Sequence, residues 1–378
     1  MTPEEQAREA ERRLAVRLAK NKADLDQLVT GQAANDGWNE LSAQELAEPL
    51  PPIPWICEPL GLAPGAVSLI AGYGYSRKTM ALQSLGLSVA AGKPVWGVWT
   101  ARRGVFVHLD YEQGRRLTQE RYQRLARGMG MELADLDPKS LRACVMPRRY
   151  LDEDISDELC RLVEGASFVL VDSLRAAFPH ADENSSEVRA HLDVLNRVSE
   201  RTGAGFGVIH HARKPNVQSG GTATHAIRGS SALFDACQSV YVFEGDKDSP
   251  TKVHHQKDRV RGLTLEEFGL TSEDIDGPRG ESRWGLAVRH MDHEQLAAGA
   301  SSRELSMASA MVAKGIAALE RLFQSADGRL PLSRADIRAR SHLSTKAFDS
   351  AWAELRTTGR LIQDGVRPSV SWVMRTAS

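Results

Sequence analysis

Short, unbroken apolar runs punctuate the middle of the chain, and polar-apolar patterns of helical period fill the intervals between them. The runs lie at 67–71, 104–110, 167–172, 205–210 and 239–244, with helices predicted after the first two and over 185–202. Unbroken apolar strands separated by helices indicate a parallel sheet covered on both faces. The expected class is therefore α/β, and such sheets take ligands at the carboxyl ends of their strands. Two further strands, at 252–256 and 283–289, alternate more and are expected as antiparallel additions at the edge. Residues 1–35 read as a charged amphipathic helix, so 1–48 is expected to be an N-terminal helical arm. The proline-rich segment 49–54 separates it from a main domain over 49–293,. An Ala/Ser/Gly-rich linker is expected at 294–305, and a small C-terminal domain at 306–378.

The first strand runs into Gly72-Tyr-Gly-Tyr-Ser-Arg-Lys78-Thr79 and then into an apolar helix. Strand, tight loop and Lys-Thr opening a helix is the plan of a P-loop, whose consensus is G-x-x-x-x-G-K-[ST]. Backbone N–H groups wrap a β-phosphate at the positive end of the helix, the lysine reaches the phosphates, and the hydroxyl holds Mg²⁺. Gly72, Gly74, Ser76, Arg77, Lys78 and Thr79 are thus the candidate nucleotide contacts. Arg77 stands where the consensus has glycine. Two outcomes are open: the side chain fills the cradle, or it swings out and leaves the loop intact.

Two later strands end in acids. Asp172 closes 167–172, where it supports Mg²⁺ or simply caps the next helix,. Glu112 follows 104–110, either as a general base for an attacking water or as an acid suited to a helix dipole,. His210 and His211 close the fourth strand, with Lys214 beyond them. Neighbouring strand residues point to opposite faces, which argues against a zinc site there. A phosphate sensor coupled to the following Gly/Ser/Thr-rich stretch, 215–231, is the other reading; that stretch is a DNA-contact loop or a plain connection,. Lys257 and Arg259 are cations that could act on a neighbouring subunit's nucleotide, or belong to a solvated turn,.

At the C-terminus, Ser333 and Ser344 are placed to cap two successive helices, and Gly359 to end the second,. A hairpin follows, which makes the expected unit a winged helix (a helix-turn-helix form) led by Thr345 and Lys346,. DNA and protein are both known partners of such units. Charge favours an anionic partner: residues 301–378 carry 12 Lys+Arg against 7 Asp+Glu, while the whole chain has a net charge of −1,. Hydrophobic residues make up 42% and charged residues 26%, which fits a soluble globular chain,. No apolar run approaches the ~20 residues of a membrane span, and the four cysteines lack metal spacing,. A cytoplasmic protein with reduced thiols is expected.

In order along the chain, Trp55 with Leu62-Ala-Pro-Gly65, Gly72…Lys78-Thr79, Leu109-Asp110-Tyr-Glu112, Val171-Asp172-Ser-Leu with Glu183-Asn184, His210-His211 with Lys214, Arg228-Gly-Ser-Ser-Ala and Lys257-x-Arg259 resemble the RepA-type family of RecA-like hexameric helicases and ATPases. That family serves plasmid, phage and mobile-element replication. The resemblance spans residues 53–290. It implies a RecA-like fold, a homo-oligomeric ring (often a hexamer), Mg-ATP, and single-stranded DNA in the pore. By the same resemblance Lys78 and Thr79 bind phosphate and Mg²⁺, Glu112 activates water, Asp172 holds the metal shell, and His210 senses the γ-phosphate. Lys257 and Arg259 act in trans, and Lys214 and Arg228 lie toward DNA. The chain departs from the family at Arg77, and at Tyr75, where glycine is frequent. The expected function is an ATP-dependent, helicase-type DNA ATPase in replication or mobile-element maintenance. The other readings are a DNA-binding regulator or scaffold with a non-hydrolysing ATPase domain, and a nucleotide-gated assembly factor.

Overall fold

A computed structural model describes residues 41–151, 155–179, 188–211, 231–246, 249–364 and 371–375. Most of the expected N-terminal arm, and Lys214 and Arg228, lie outside them. The chain divides into two units, Met1–Pro52 and Ile53–Ser378. In the first, helix α1 (Ala43–Leu46) is closed by a capping box between Ser42 and Glu45,.

In the second unit the strands are β1 (Val67–Gly72), β2 (Val105–Asp110), β3 (Leu141–Val145), β4 (Ala166–Asp172), β5 (Gly205–His211), β6 (Ser239–Glu244), β7 (Thr251–Asp258), β8 (Phe268–Ile275) and β9 (Gly285–Met291). They form one sheet in the order β3-β2-β4-β5-β1-β6-β7-β8-β9. Pairing is parallel from β3 through to β6 and antiparallel from β6 to β9. The helices are α2 (Lys78–Ala91), α3 (Arg115–Gly128), α4 (Ser156–Val163), α5 (Leu174–Ala177), α6 (Val188–Thr202), α7 (Ser231–Ala236), α8 (His293–Gln324), α9 (Arg334–Ser341) and α10 (Thr345–Thr357).

The five apolar runs became β1, β2, β4, β5 and β6 because side chains from both of their faces enter a core. Ile70, Phe106, Phe168 and Phe243 pack with Leu82 and Leu85 of α2 on one face. Leu69, Val107, Val169 and Val208 pack with Leu192 and Leu195 of α6 on the other. Helix α2 is buried along most of its length, as a helix without a polar stripe must be. Its approach to β2 is close: a Cβ on Gly86 would meet the Phe106 ring at 2.2 Å. β3 and β8 were not predicted, and the segment expected as a linker at 294–305 is the first third of α8. Ala-rich sequence has high helix propensity, and Asp292 with Gln295 makes a capping box that starts the helix.

The last part of α8 carries Leu319 and Phe323 into a separate core with Ile337, Phe348, Trp352 and Trp372. Ser333 Oγ accepts from Asp336 N (3.2 Å) and Ser344 Oγ from Ala347 N (3.3 Å), so α9 and α10 begin at the expected caps. β10 (Arg329–Leu330), β11 (Leu361–Asp364) and β12 (Ser371–Met374) form a small antiparallel sheet in the order β10-β12-β11. Among the described residues no helix is long and apolar enough to cross a membrane.

The four cysteines are free, and burial pushes the Cys237 thiol up to about 12 and the Cys57 thiol up to about 11. Burial also holds His255 neutral, down at about 4 against an ordinary 6.5. The geometry agrees: Nδ1 accepts Leu265 N–H (3.1 Å) and Nε2 pairs with Ser239 Oγ (2.9 Å). The unfolded chain takes up this proton as pH falls through 6.5, and the folded chain does not until about 4. Stability from this group is therefore complete above 6.5 and lost as pH falls toward 4,. Between those limits thermal unfolding temperature should fall more steeply for the natural chain than for His255→Gln; parallel curves would contradict this.

Candidate nucleotide site

β1 delivers the loop 73–77 to the carboxyl edge of the sheet, and α2 begins at Lys78. Gly72 is fixed there by space: a Cβ would meet Phe243 O at 2.3 Å. Two other loop residues use the left-handed region that glycine favours, Tyr75 (φ 66°) and Arg77 (φ 59°). These are the two positions at which the sequence departs from its resemblance. At both positions a side chain, not glycine, takes the left-handed backbone. Tyr75 points to solvent, 84% exposed. Arg77 Nη1 donates to Asp246 O (2.9 Å), to Ser249 O and to Thr251 Oγ1 (3.5 Å). Of the two outcomes left open for Arg77, the structure shows the second: the guanidinium is fastened to the β6–β7 turn.

Lys78 is folded into its own loop. Its Nζ donates to Gly72 O (2.8 Å), Tyr73 O (2.7 Å) and Ser76 Oγ (3.1 Å). Burial pushes it down to about 8, and the Asp172 and Glu112 carboxylates partly restore it. Asp172, at the end of β4, is fully buried, and neither carboxylate oxygen has a hydrogen bond of good geometry. Burial raises it to about 7, opposed mainly by the Thr79 hydroxyl. An orphaned buried carboxylate facing a hydroxyl at a helix start fits a dication bound between them.

Glu112, just past β2, is held at two points. Ser173 Oγ donates to Oε1, and His211 Nε2 lies 3.0 Å from the same oxygen. The His211 contact first, then that from Ser173, holds its carboxyl below the usual range against a raising effect of burial. The histidine at Glu112 is His211; His210, the expected γ-phosphate sensor, is buried on β5. Asp110 is a cap: Oδ1 accepts Gln113 N (2.8 Å) and Oδ2 accepts Thr118 Oγ1 (2.6 Å).

Sequence reasoning missed Ser173, which directly follows Asp172, and His108, an imidazole inside an apolar strand. His108 is fully buried, with Nδ1 3.0 Å from the Tyr122 hydroxyl and Nε2 4.0 Å from Asp172 Oδ2. Burial holds it neutral, at about 4.

A cleft of about 610 Å³ opens beside the loop, lined by residues 74–80, Gln113, Arg121, His211 and, on its far wall, Asp274 and Arg283. That is the size of a small-molecule site. Gly74, Ser76, Arg77, Lys78 and Thr79 all line it. Lys257 and Arg259 do not. Lys257 is turned back onto the carbonyl end of α7, at Phe234 O and Asp235 O (3.4 Å), while Arg259 is exposed just past β7. Thr345 and Lys346 are exposed on the first turn of α10.

Residues 32–217, just under half of the chain, match the AAA_25 family, an AAA domain. This match and the loop geometry support a P-loop NTPase, a family that binds nucleotide and usually Mg²⁺. No curated protein matches the chain. Among solved structures, a KaiC-like protein from the hyperthermophilic archaeon Pyrococcus horikoshii is similar at 17% identity and a TM-score of 0.41, over 62% of this chain and 93% of that one.

Proposed function

We propose that the protein is an ATPase of helicase type that acts on DNA as a ring of identical chains. The observation that carries the reading is that the Asp172 and Glu112 carboxylates act on Lys78, and Asp172 on Thr79, at the carboxyl edge of the sheet, where Lys78 and Thr79 line the cleft. Phosphate would replace the carbonyls that Lys78 Nζ now contacts, and the loop N–H groups at the start of α2 would hold it. Mg²⁺, held by Thr79 with Asp172 behind it, would neutralise phosphate charge. Glu112 is kept ionised, so it can orient a water and accept its proton. His211 ties that carboxylate to the end of β5. Arg259, exposed and away from its own cleft, suits contact with a neighbouring copy.

For the C-terminal unit, two capped helices and a small antiparallel sheet support a winged-helix reading, and the positive balance of residues 301–378 favours DNA as its partner,. The scaffold alternative rests on Arg77 blocking the loop, and the guanidinium lies against the β6–β7 turn instead.

ATP hydrolysis by the purified protein should rise on the order of tenfold with single-stranded DNA, the range of ordinary site coupling. Hydrolysis that ignores DNA would sink the helicase-type reading.

A further inference from the structure

We propose that Arg77 is a brace: it fastens the phosphate loop to the β6–β7 turn, so that loop and turn open and close together. Arg77 is a positioning residue, acting through the loop backbone rather than on the nucleotide. The second half of the proposal, that nucleotide tightens both segments, rests on the nucleotide reading above.

Three observations converge. First, a loop that needs left-handed residues has Tyr75 and Arg77 at two such places, and a side chain there is strained unless its surroundings hold it. Second, the surroundings do hold Arg77. One guanidinium nitrogen meets two backbone carbonyls of the turn, Asp246 O and Ser249 O, and the Thr251 hydroxyl. A second strut runs in parallel, as Thr251 Oγ1 donates to Ser76 O (3.2 Å), and both Thr251 and Ser76 are fully buried. Third, the turn is not an isolated feature. Asp246 and Ser249 also wall a separate cleft of about 400 Å³ with Tyr73 of the loop and Leu296 of α8. The turn therefore stands between the phosphate loop and the helix that continues into the C-terminal unit. A glycine at 77 would give the loop its backbone freedom but no such tie. A lysine can donate to the same carbonyls but ends in a compact, strongly hydrated ammonium on a flexible stem, and so keeps only part of the tie.

The test is hydrogen–deuterium exchange on the full chain, comparing the natural protein with Arg77→Gly and Arg77→Lys. Glycine accepts the left-handed conformation, so the first variant folds. Without nucleotide, peptides containing loop residues 73–77 and peptides containing Asp246 and Ser249–Thr251 should both exchange faster in Arg77→Gly. The increase should be on the order of tenfold, the effect of losing one or two hydrogen bonds. Arg77→Lys should recover part of the protection in both. With Mg²⁺ and ATPγS, the natural protein should gain protection in both segments and Arg77→Gly in the loop alone. Unchanged exchange of the turn in nucleotide-free Arg77→Gly would overturn the brace. If ATPγS protects nothing in the natural protein, the nucleotide reading fails, while the nucleotide-free comparison still decides the brace.

Discussion

Glu112→Gln should lower ATP turnover by about 10³-fold, the contribution of a positioned general base, and leave nucleotide affinity nearly unchanged. The glutamine keeps the length of the side chain and an oxygen to accept from Ser173 Oγ. It loses the basic oxygen that the structure keeps ionised through His211 and Ser173. The fold should hold, because the Glu112 side chain is about one-third exposed and its two side-chain partners, His211 and Ser173, lie outside the loop 73–77. Single-turnover hydrolysis measured beside equilibrium binding separates the two effects. If both fall together, Glu112 belongs to the binding cradle; if neither falls, the base lies elsewhere.

Lys78→Ala should weaken Mg-nucleotide binding by at least about 30-fold. Removing one partner of a desolvated charge pair costs about 2–5 kcal/mol, and each factor of ten is about 1.4 kcal/mol. Lys78 is 4% exposed and is held by three loop oxygens, so phosphate would meet a cation already stripped of water. The burial that pushes it down to about 8 also says that the cation is not favourable to the nucleotide-free fold,. The variant should therefore fold at least as stably as the natural chain. Calorimetric titration with thermal unfolding alongside checks both. Unaltered affinity would remove Lys78 from the site.

The sequence made the site's frame legible because its logic is one-dimensional. A fully buried parallel strand leaves an unbroken apolar run, and the run's end marks the sheet's carboxyl edge, so Lys78, Thr79, Glu112 and Asp172 could be placed at that edge without knowledge of their neighbours. What was missed depends on three-dimensional partners. β3 borders the parallel edge and is only half-buried, and β8 turns polar along its length, so neither leaves an apolar run. The start of α8 has a linker's composition, and its helix begins at a capping box instead. Which of His210 and His211 faces Glu112 depends on which side of the strand looks onto the cleft, and residue identity does not record that. The positive φ at Tyr75 and Arg77 is hidden for the same reason: glycine announces such a conformation, and a side chain held there by hydrogen bonds from another strand does not. Lys257 and Arg259 are paired by the resemblance, and where each side chain goes depends on its neighbours: Lys257 lies on the α7 carbonyls and Arg259 is exposed.

The most direct measurement is calorimetric titration of the full chain with a non-hydrolysable ATP analogue and Mg²⁺. Saturable binding at one site per chain, lost when Mg²⁺ is chelated or Lys78 is replaced by alanine, is the predicted result. A chain that is folded by circular dichroism yet takes up no nucleotide at millimolar concentration would contradict the account at its centre.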